Sequence, residues 1–355
     1  MPFAIQPNAS TRTAQSNERR MQVGAPALGQ KKHDFFNRAQ LQKKLLGILF
    51  LACLPLVEPS VAHPNSIQRP RPLVITTDCG ADMDDQWAIA HASLAPELKL
   101  LAVIGNFAPK PHNLSSEQTT ACAHRVLQVV RRVSKVALYR GADHSLPNRV
   151  LPLRSAGVQA ILRLARNHSR KNRLMVLGLG PVTDIASALL IDPQLENRIE
   201  VVALAFDNYP KGGDGWNVRN DISAWKILLD SQTPITAASG TVALKYLNLT
   251  RGESKAMMRG LGQSGSYLAS LHAAWLARYG KEFADETGGE DRWPVWDEAL
   301  IAVLLGLSQD RSRPRPKLNS DATFAFPNRT SSAPFKWVIS IDRKSLFGHL
   351  RRQLN

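Results

Sequence analysis

Four aspartates, Asp78, Asp82, Asp84 and Asp85, fall within eight residues of the segment LVITTDCGADMDDQWAIA, which runs from Leu73 to Ala90. Residues 73–77 read as a buried strand and residues 84–95 as a helix, so the carboxylates cluster at a strand-to-helix turn. Capping accounts for one or two of them, because a carboxylate satisfies free N–H groups and favours the positive end of the helix. Four such groups at the carboxyl end of a central strand repel one another unless water or a cation neutralises them. A hard divalent metal is the economical reading, and the chemistry it offers is activation of a water molecule. Two other acidic-turn designs do not fit. A haloacid-dehalogenase-like phosphatase has a second aspartate two residues after the first, where Gly80 stands here. An EF-hand has a helix before its loop and a closing glutamate, which would fall at Ser93 if Asp82 were the first ligand.

The elements that must position this turn follow a repeating pattern from Arg71 onward. Short apolar runs at 73–77, 98–104, 136–139, 174–178, 199–206 and 234–238 alternate with helical segments at 84–95, 116–132, 155–167, 183–190 and 223–230. Residues 253–308 read as helical, with a strongly apolar helix over 296–307, and 320–345 as two terminal strands. The pattern predicts an α/β fold, a doubly wound and mostly parallel sheet with flanking helices, and it places ligands outside the carboxyl ends of the strands. Nothing in composition divides 70–345, so a single domain over 63–355 is expected.

The order of motifs along the chain resembles the nucleoside hydrolase family. Asp78-Cys79-Gly80-Ala81-Asp82-Met83-Asp84-Asp85-Gln86-Trp87-Ala88-Ile89 is similar to that family's DTDPGxDDA-like first turn, and more closely to a diverged DxGxDxDDAxAL-like version. Ala102-Val103-Ile104-Gly105-Asn106 resembles its TVxGN strand end, and Val136-Ala137-Leu138-Tyr139-Arg140-Gly141-Ala142 its PVYxGA segment. Leu177-Gly178-Leu179-Gly180-Pro181-Val182-Thr183-Asp184-Ile185-Ala186 is close to ALGPLTNIA. Trp216-Asn217 with Asp221 and Ala224 looks like EFNxxxDxxAA, and Val295-Trp296-Asp297-Glu298-Ala299 stands where the family has an HDP-like motif.

The resemblance implies hydrolysis of the N-glycosidic bond of ribonucleosides or related N-ribosides at a Ca²⁺ site. Asp78, Asp85 and Asp297 match the family's carboxylate ligands, and the carbonyl ligand before the Gly-Pro step is that of Leu179. Asp84 would hydrogen-bond ribose, with Asn106 and Asn217 beside it. Asp78 would serve as general base toward a metal-activated water attacking an oxocarbenium-like sugar. Three features depart from the family. The first turn is two residues longer than the common motif, so Asp82 is either an added ligand or a replacement for Asp78 as base. Gly215, with Asp214 before it, stands in place of a glutamate that contacts the 5′ end of the sugar. Trp296 stands in place of a histidine that assists the departing base, and it is placed either to stack on that base or simply to pack. His91, on the helix after the turn, reads as a core or surface histidine rather than an acid.

The rest of the chain bounds the setting. Its 355 residues are 44% hydrophobic and 21% charged, as in an ordinary folded protein. Lys43 and Lys44 precede the apolar run LLGILFLACLPLV, and Ser60-Val61-Ala62 is a small-x-small site, a pattern that predicts a signal peptide over 1–62, with a long N-terminal extension and export to the periplasm or beyond. A lipid anchor at Cys53 fits less well, because Phe50 is a poor match to such a processing site. Formal charge is +16, and residues 1–62 carry eight Lys or Arg against three Asp or Glu, so +11 remains on 63–355. The basic residues are scattered. Only Arg311-Ser312-Arg313-Pro314-Arg315-Pro316-Lys317 forms a run, read as a solvated linker, and no nucleic-acid partner is expected. Cys79 and Cys122 have no metal-ligand spacing and read as two free, buried thiols. The family implies a small-molecule nucleoside as partner and a homo-oligomer as assembly. Two rivals remain: a metal-bearing protein that binds a nucleoside or sugar without cleaving it, and a metal-dependent phosphatase, against which the lack of a phosphate-cradling loop counts.

Overall fold

Leu73, Val74 and Ile75 are all fully buried, which a strand achieves only when helices cover both of its faces. Alternation along the strand sends Leu73 and Ile75 to one core and Val74 to the other. The computed structural model describes residues 69–213, 215–328 and 331–355. The expected signal peptide, its cleavage site, Cys53 and Asp214 lie outside the described residues.

The strands are β1 (Arg71–Thr77), β2 (Leu98–Gly105), β3 (Ala137–Arg140), β4 (Leu174–Gly178), β5 (Ile199–Leu204), β6 (Ile235–Ala238), β7 (Asn248–Thr250), β8 (Arg292–Pro294), β9 (Ser308–Ser312), β10 (Lys317–Leu318), β11 (Phe324–Ala325) and β12 (Phe335–Ile341). The helices are α1 (Asp84–Leu94), α2 (Ser116–Val129), α3 (Ala156–Ala165), α4 (Thr183–Ile191), α5 (Trp216–Arg219), α6 (Ile222–Asp230), α7 (Gly240–Leu247), α8 (Arg251–Met258), α9 (Gly262–Tyr279), α10 (Ala284–Thr287), α11 (Glu298–Leu304) and α12 (Arg343–Leu354). Eight strands form one sheet in the order β3-β2-β1-β4-β5-β6-β12-β9. Every pairing in it is parallel except that of β9 with β12. One face is packed by Trp87 and Ile89 of α1, Val126 and Leu127 of α2 and Leu300 and Ile301 of α11. The other is packed by Val158 and Ile161 of α3, Ile185 of α4 and Trp225 and Leu228 of α6. The expected doubly wound α/β sheet is the observed one.

Strand order fixes where a ligand belongs. The chain winds outward from β1 to β2 and β3, then returns to start β4 on the other side of β1. The loops leaving β1 and β4 therefore diverge and open a crevice at the carboxyl ends of those strands.

Three expectations need correction. Cys79 and Cys122 are not free thiols: their sulfur atoms are bonded, with the Cα atoms 5.7 Å apart. Gly80, at φ +99°, bends the turn back toward α2, and its absent side chain leaves room beside Leu114 and Cys122. A pairing across a sequence separation of 43 leaves no local signal. The basic run is no solvated linker either. Its first two residues end edge strand β9, Lys317 begins β10, and Arg315 is 2% exposed. The Arg315 guanidinium donates to the carbonyls of Leu228 (2.7 Å), Leu229 (2.9 Å) and Thr233 (2.8 Å), filling acceptors that the end of α6 leaves open. Finally, the stretch read as helical over 253–308 is interrupted by β8, whereas 320–345 holds its two expected strands, β11 and β12, before helix α12, which is capped by the Asp342 side chain and anchored by Leu346 and Leu350.

Candidate metal and nucleoside site

The end of β1 is where the carboxylates gather. Ala81 N–H donates to the Asp78 carbonyl (3.0 Å), closing a tight turn, and Cys79 N–H donates to Thr77 Oγ1 (3.1 Å). The Thr77 hydroxyl in turn donates to Asp85 Oδ1. Asp84 and Asp85 open α1, and Asp297 precedes α11. Asp297 holds the N-cap position of α11, but neither helix has a side-chain cap hydrogen bond, so its carboxylate is not spent on capping. Instead its backbone N–H donates to Asp84 Oδ2 at 3.2 Å. Carboxylate oxygens of Asp84, Asp85 and Asp297 lie within 4.8 Å of one another, and all three residues are buried.

Asp78 lies against this group, 3% exposed, with Oδ2 lacking a hydrogen bond. Asp82 joins from the longer part of the turn, where Trp293 Nε1 donates to its Oδ2 at 2.9 Å. Burial pushes the Asp82 and Asp85 carboxyls up to about 7. Burial first, and repulsion from neighbouring aspartates second, holds Asp78, Asp84 and Asp297 well above the usual carboxylate range. Such a group is electrostatically frustrated without a cation, and Asp297 Oδ1 also lacks a partner.

The neighbouring strand ends complete the crevice. Asn106 follows β2, fully buried; its Nδ2 donates to the Pro181 carbonyl (2.8 Å) and its Oδ1 has no partner. Leu179 and Gly180 follow β4. Asn217, on α5, donates through Nδ2 to the Leu179 carbonyl and to that of Leu204 (3.3 Å). A carbonyl has two acceptor sites, so the Leu179 oxygen keeps one beyond that bond. Trp296 is half-buried, packed on the α1–α11 core, and its indole together with that of Trp293 pulls the Asp82 carboxyl back down.

The structure gathers the four turn aspartates, Asp297, Asn106, Leu179 and Asn217 at the strand ends, in an arrangement that differs from the expected one. Asp84, expected against ribose, stands with Asp85 and Asp297 in the tightest acidic group, and Asp78 lies beside it. Asp221 proves structural: its carboxylate accepts from Leu146 N–H (2.8 Å), Thr183 Oγ1 (2.7 Å) and Ala224 N–H (2.9 Å) and caps α6.

Several residues escaped the sequence reading. Trp293 holds Asp82, and its ring meets Trp275 and Phe283. His112 lies edge-on to Trp216, with ring centroids 5.4 Å apart. His91 is, as the sequence reading allowed, a core histidine, but its partner escaped that reading: Nδ1 and Glu298 Oε2 are 2.8 Å apart, both side chains fully buried, and they join α1 to α11 behind the carboxylates. No motif spacing marks these contacts, because each spans distant elements.

The model of the inosine-uridine preferring nucleoside hydrolase family matches residues 73–333. The chain belongs to this family. It is accordingly a hydrolase acting on N-glycosyl bonds, and small-molecule nucleosides are the family's substrates. The nucleoside hydrolase fold recurs in solved structures. A purine-preferring ribonucleoside hydrolase from Gardnerella vaginalis superposes with a TM-score of 0.66 at 19% identity, over 80% of this chain and 98% of that one. A plant nucleoside hydrolase gives 0.65 at 17% identity, over 80% and 99%. The type III effector XopQ, complexed with adenosine diphosphate ribose, gives 0.59 at 14% identity, over 81% and 94%. At these identities the likeness is one of fold. A comparison with curated proteins gives no match.

Close approach of the β1 and β4 loops makes one glycine indispensable to this hydrolase. A Cβ on Gly180 would fall 2.5 Å from Asp78 Oδ1 and 2.8 Å from Asp78 N, so Gly180→Ala must displace the aspartate or the loop. The variant is expected to keep its far-UV circular dichroism while losing about a hundredfold in kcat, the scale set by a displacement of roughly 1 Å at a reacting group. Steady-state base release checks it.

Proposed function

We propose that the protein is an exported, calcium-dependent hydrolase that releases the base from ribonucleosides or closely related N-ribosides. The observation that carries this reading is the buried acidic group at the sheet's switch point, with unpartnered oxygens on Asp78, Asp297 and Asn106. An all-oxygen donor set drawn from three chain segments suits a hard, loosely coordinated cation such as Ca²⁺. The residues that would hold it are Asp84, Asp85 and Asp297, joined by Asp78 and the Leu179 carbonyl; Asp82 is the added carboxylate of this chain's longer turn. Calcium, when bound, supplies Lewis acidity toward water and toward the ribose hydroxyls.

The chain's own residues do the rest. Asp78 accepts the proton of the attacking water: its Oδ2 is unengaged, and burial makes it a stronger base than a solvated aspartate. Asn106 Oδ1 and the Asn217 side chain orient the sugar, each fixed by its amide nitrogen on a backbone carbonyl. Trp296 borders the site where the base departs. Export is supported by the basic, apolar leader and by the Cys79–Cys122 bond, since disulfides persist in oxidising compartments.

Incubating the calcium-loaded protein with inosine, uridine and adenosine, and following free base by chromatography, is expected to show release that stops on chelation. No release from any riboside, with tight binding retained, would instead favour the rival reading of a metal-bearing binding protein, which the tryptophan at position 296 and the glycine at 215 motivate.

A further inference from the structure

The disulfide joins two elements that each carry part of the site. Cys79 is the residue after Asp78 and is fully buried. Its N–H donates to Thr77 Oγ1, the same hydroxyl that donates to Asp85 Oδ1. Cys122 sits on α2, one helical turn after Thr119, whose hydroxyl donates to the Asn106 carbonyl at 2.8 Å. One stripe of α2 thus fastens the Asn106 strand end by a hydrogen bond and the aspartate turn by a covalent bond. Apart from the covalent bond, the turn is tied to other elements at its two ends and at its acidic side chains, by Asn106 N–H on the Thr77 carbonyl (2.9 Å), Trp216 on Asp78, Trp293 and Trp296 on Asp82, and Asp297 N–H on Asp84 Oδ2 (3.2 Å), whereas Cys79 carries the direct link to α2. Ionised carboxylates gathered within 4.8 Å, as those of Asp84, Asp85 and Asp297 are, repel one another and load that turn.

We propose that Cys79–Cys122 is a reducible positioning clamp: it holds Asp78, and through Thr77 also Asp85, in the arrangement that binds the cation. The inference rests on the calcium reading of the site. Reduction by a dithiol breaks the sulfur–sulfur bond, adds one hydrogen to each cysteine sulfur, and converts the dithiol to its cyclic disulfide. Two electrons and two protons pass to the protein, and the turn is released. Any disulfide adds stability by restricting the unfolded chain, wherever it lies. A clamp on the site additionally changes cation affinity in the folded state, and that is the distinguishing readout.

The test is calorimetric titration of the native, folded protein with CaCl₂, before and after reduction with dithiothreitol, with circular dichroism recorded in both states. The expected result is a drop in calcium affinity of about 10- to 100-fold on reduction, the scale on which outer-shell support of metal ligands acts, with unchanged helical signal. The Cys79→Ala/Cys122→Ala variant, titrated without reductant, is expected to match the reduced protein. Equal affinity in the oxidised and reduced states overturns the proposal, as do free thiols in the native protein, or loss of the helical signal on reduction and in the variant. Absence of calcium binding in the oxidised protein is a separate outcome: it overturns the calcium reading itself and the clamp with it.

Discussion

Replacing Asp85 with alanine is expected to weaken calcium binding by at least about a hundredfold and to lower kcat/KM for nucleoside hydrolysis by a similar factor or more, because loss of even outer-shell partners of a metal ligand costs about 10- to 100-fold. Asp85 is 2% exposed, and the Thr77 hydroxyl fixes its Oδ1. Its carboxylate also lies within 4.8 Å of those of Asp84 and Asp297. Affinity for calcium follows the number of charged oxygens offered, so removing this one takes away both a ligand and a unit of charge. The metal-free protein responds in the opposite sense. Removing a buried carboxylate whose neighbours are also carboxylates relieves desolvation and repulsion, so the variant is expected to melt higher than the parent in chelator and to gain little from calcium. Calorimetric titration and paired melting curves separate the two effects. Native affinity together with a native rate in Asp85→Ala would remove this residue from the site.

The sheet was legible because its strands carry the strongest one-dimensional signal available, apolar runs covered on both faces and bounded by Gly, Asn or Asp. Leu73 to Thr77 and Leu174 to Gly178 show it plainly. The edge was not legible. β9 reads Ser-Gln-Asp-Arg-Ser and is largely exposed, as an edge strand protected from further pairing tends to be, so it carries no apolar alternation. α12 was hidden by its basic surface, since Leu346, Phe347 and Leu350 are few among Arg and Lys. Arg315 shows the converse error. Its sequence neighbours, Pro314 and Pro316, read as a linker, yet a guanidinium can be buried wherever backbone carbonyls at a helix end supply its acceptors.

Within the site, the aspartates and asparagines were legible by type and order, whereas their mutual arrangement was not. Which carboxylates lie closest depends on how α1 and α11 dock, and the buried His91–Glu298 pair between those helices has no sequence signature. Two of the three departures from the family also acquire a physical setting. Trp296 does not meet the longer turn alone: Trp293, whose ring packs on Trp275 and Phe283, donates to Asp82, and the two indoles together lower that carboxyl. The added aspartate and these two indoles form one local unit.

That acidic unit also sets a pH signature. In the metal-free protein, melting temperature is expected to fall as pH rises from about 4 through about 7, contrary to the usual behaviour of aspartates in salt bridges. The folded-state carboxyls of Asp82 and Asp85 stand at about 7, against 3.8 for the unfolded chain, and those of Asp78, Asp84 and Asp297 are raised as well. Groups raised in this way make the folded state bind more protons than the unfolded one, so their contribution is full below the unfolded value and is lost as pH passes through the folded values. Saturating calcium reverses the slope, because the ion favours the ionised carboxylates and protons then compete with it. The stabilisation by calcium, taken as the difference between melting curves with ion and with chelator, is therefore expected to grow steadily across this window. Comparing the native protein with an Asp82→Asn/Asp85→Asn variant subtracts the titration of every other group. A difference that is flat with pH would mean that these carboxylates are solvated and do not share a cation. A difference that rises would mean that these carboxylates lose their protons within this window and that the cation takes the protons' place between them.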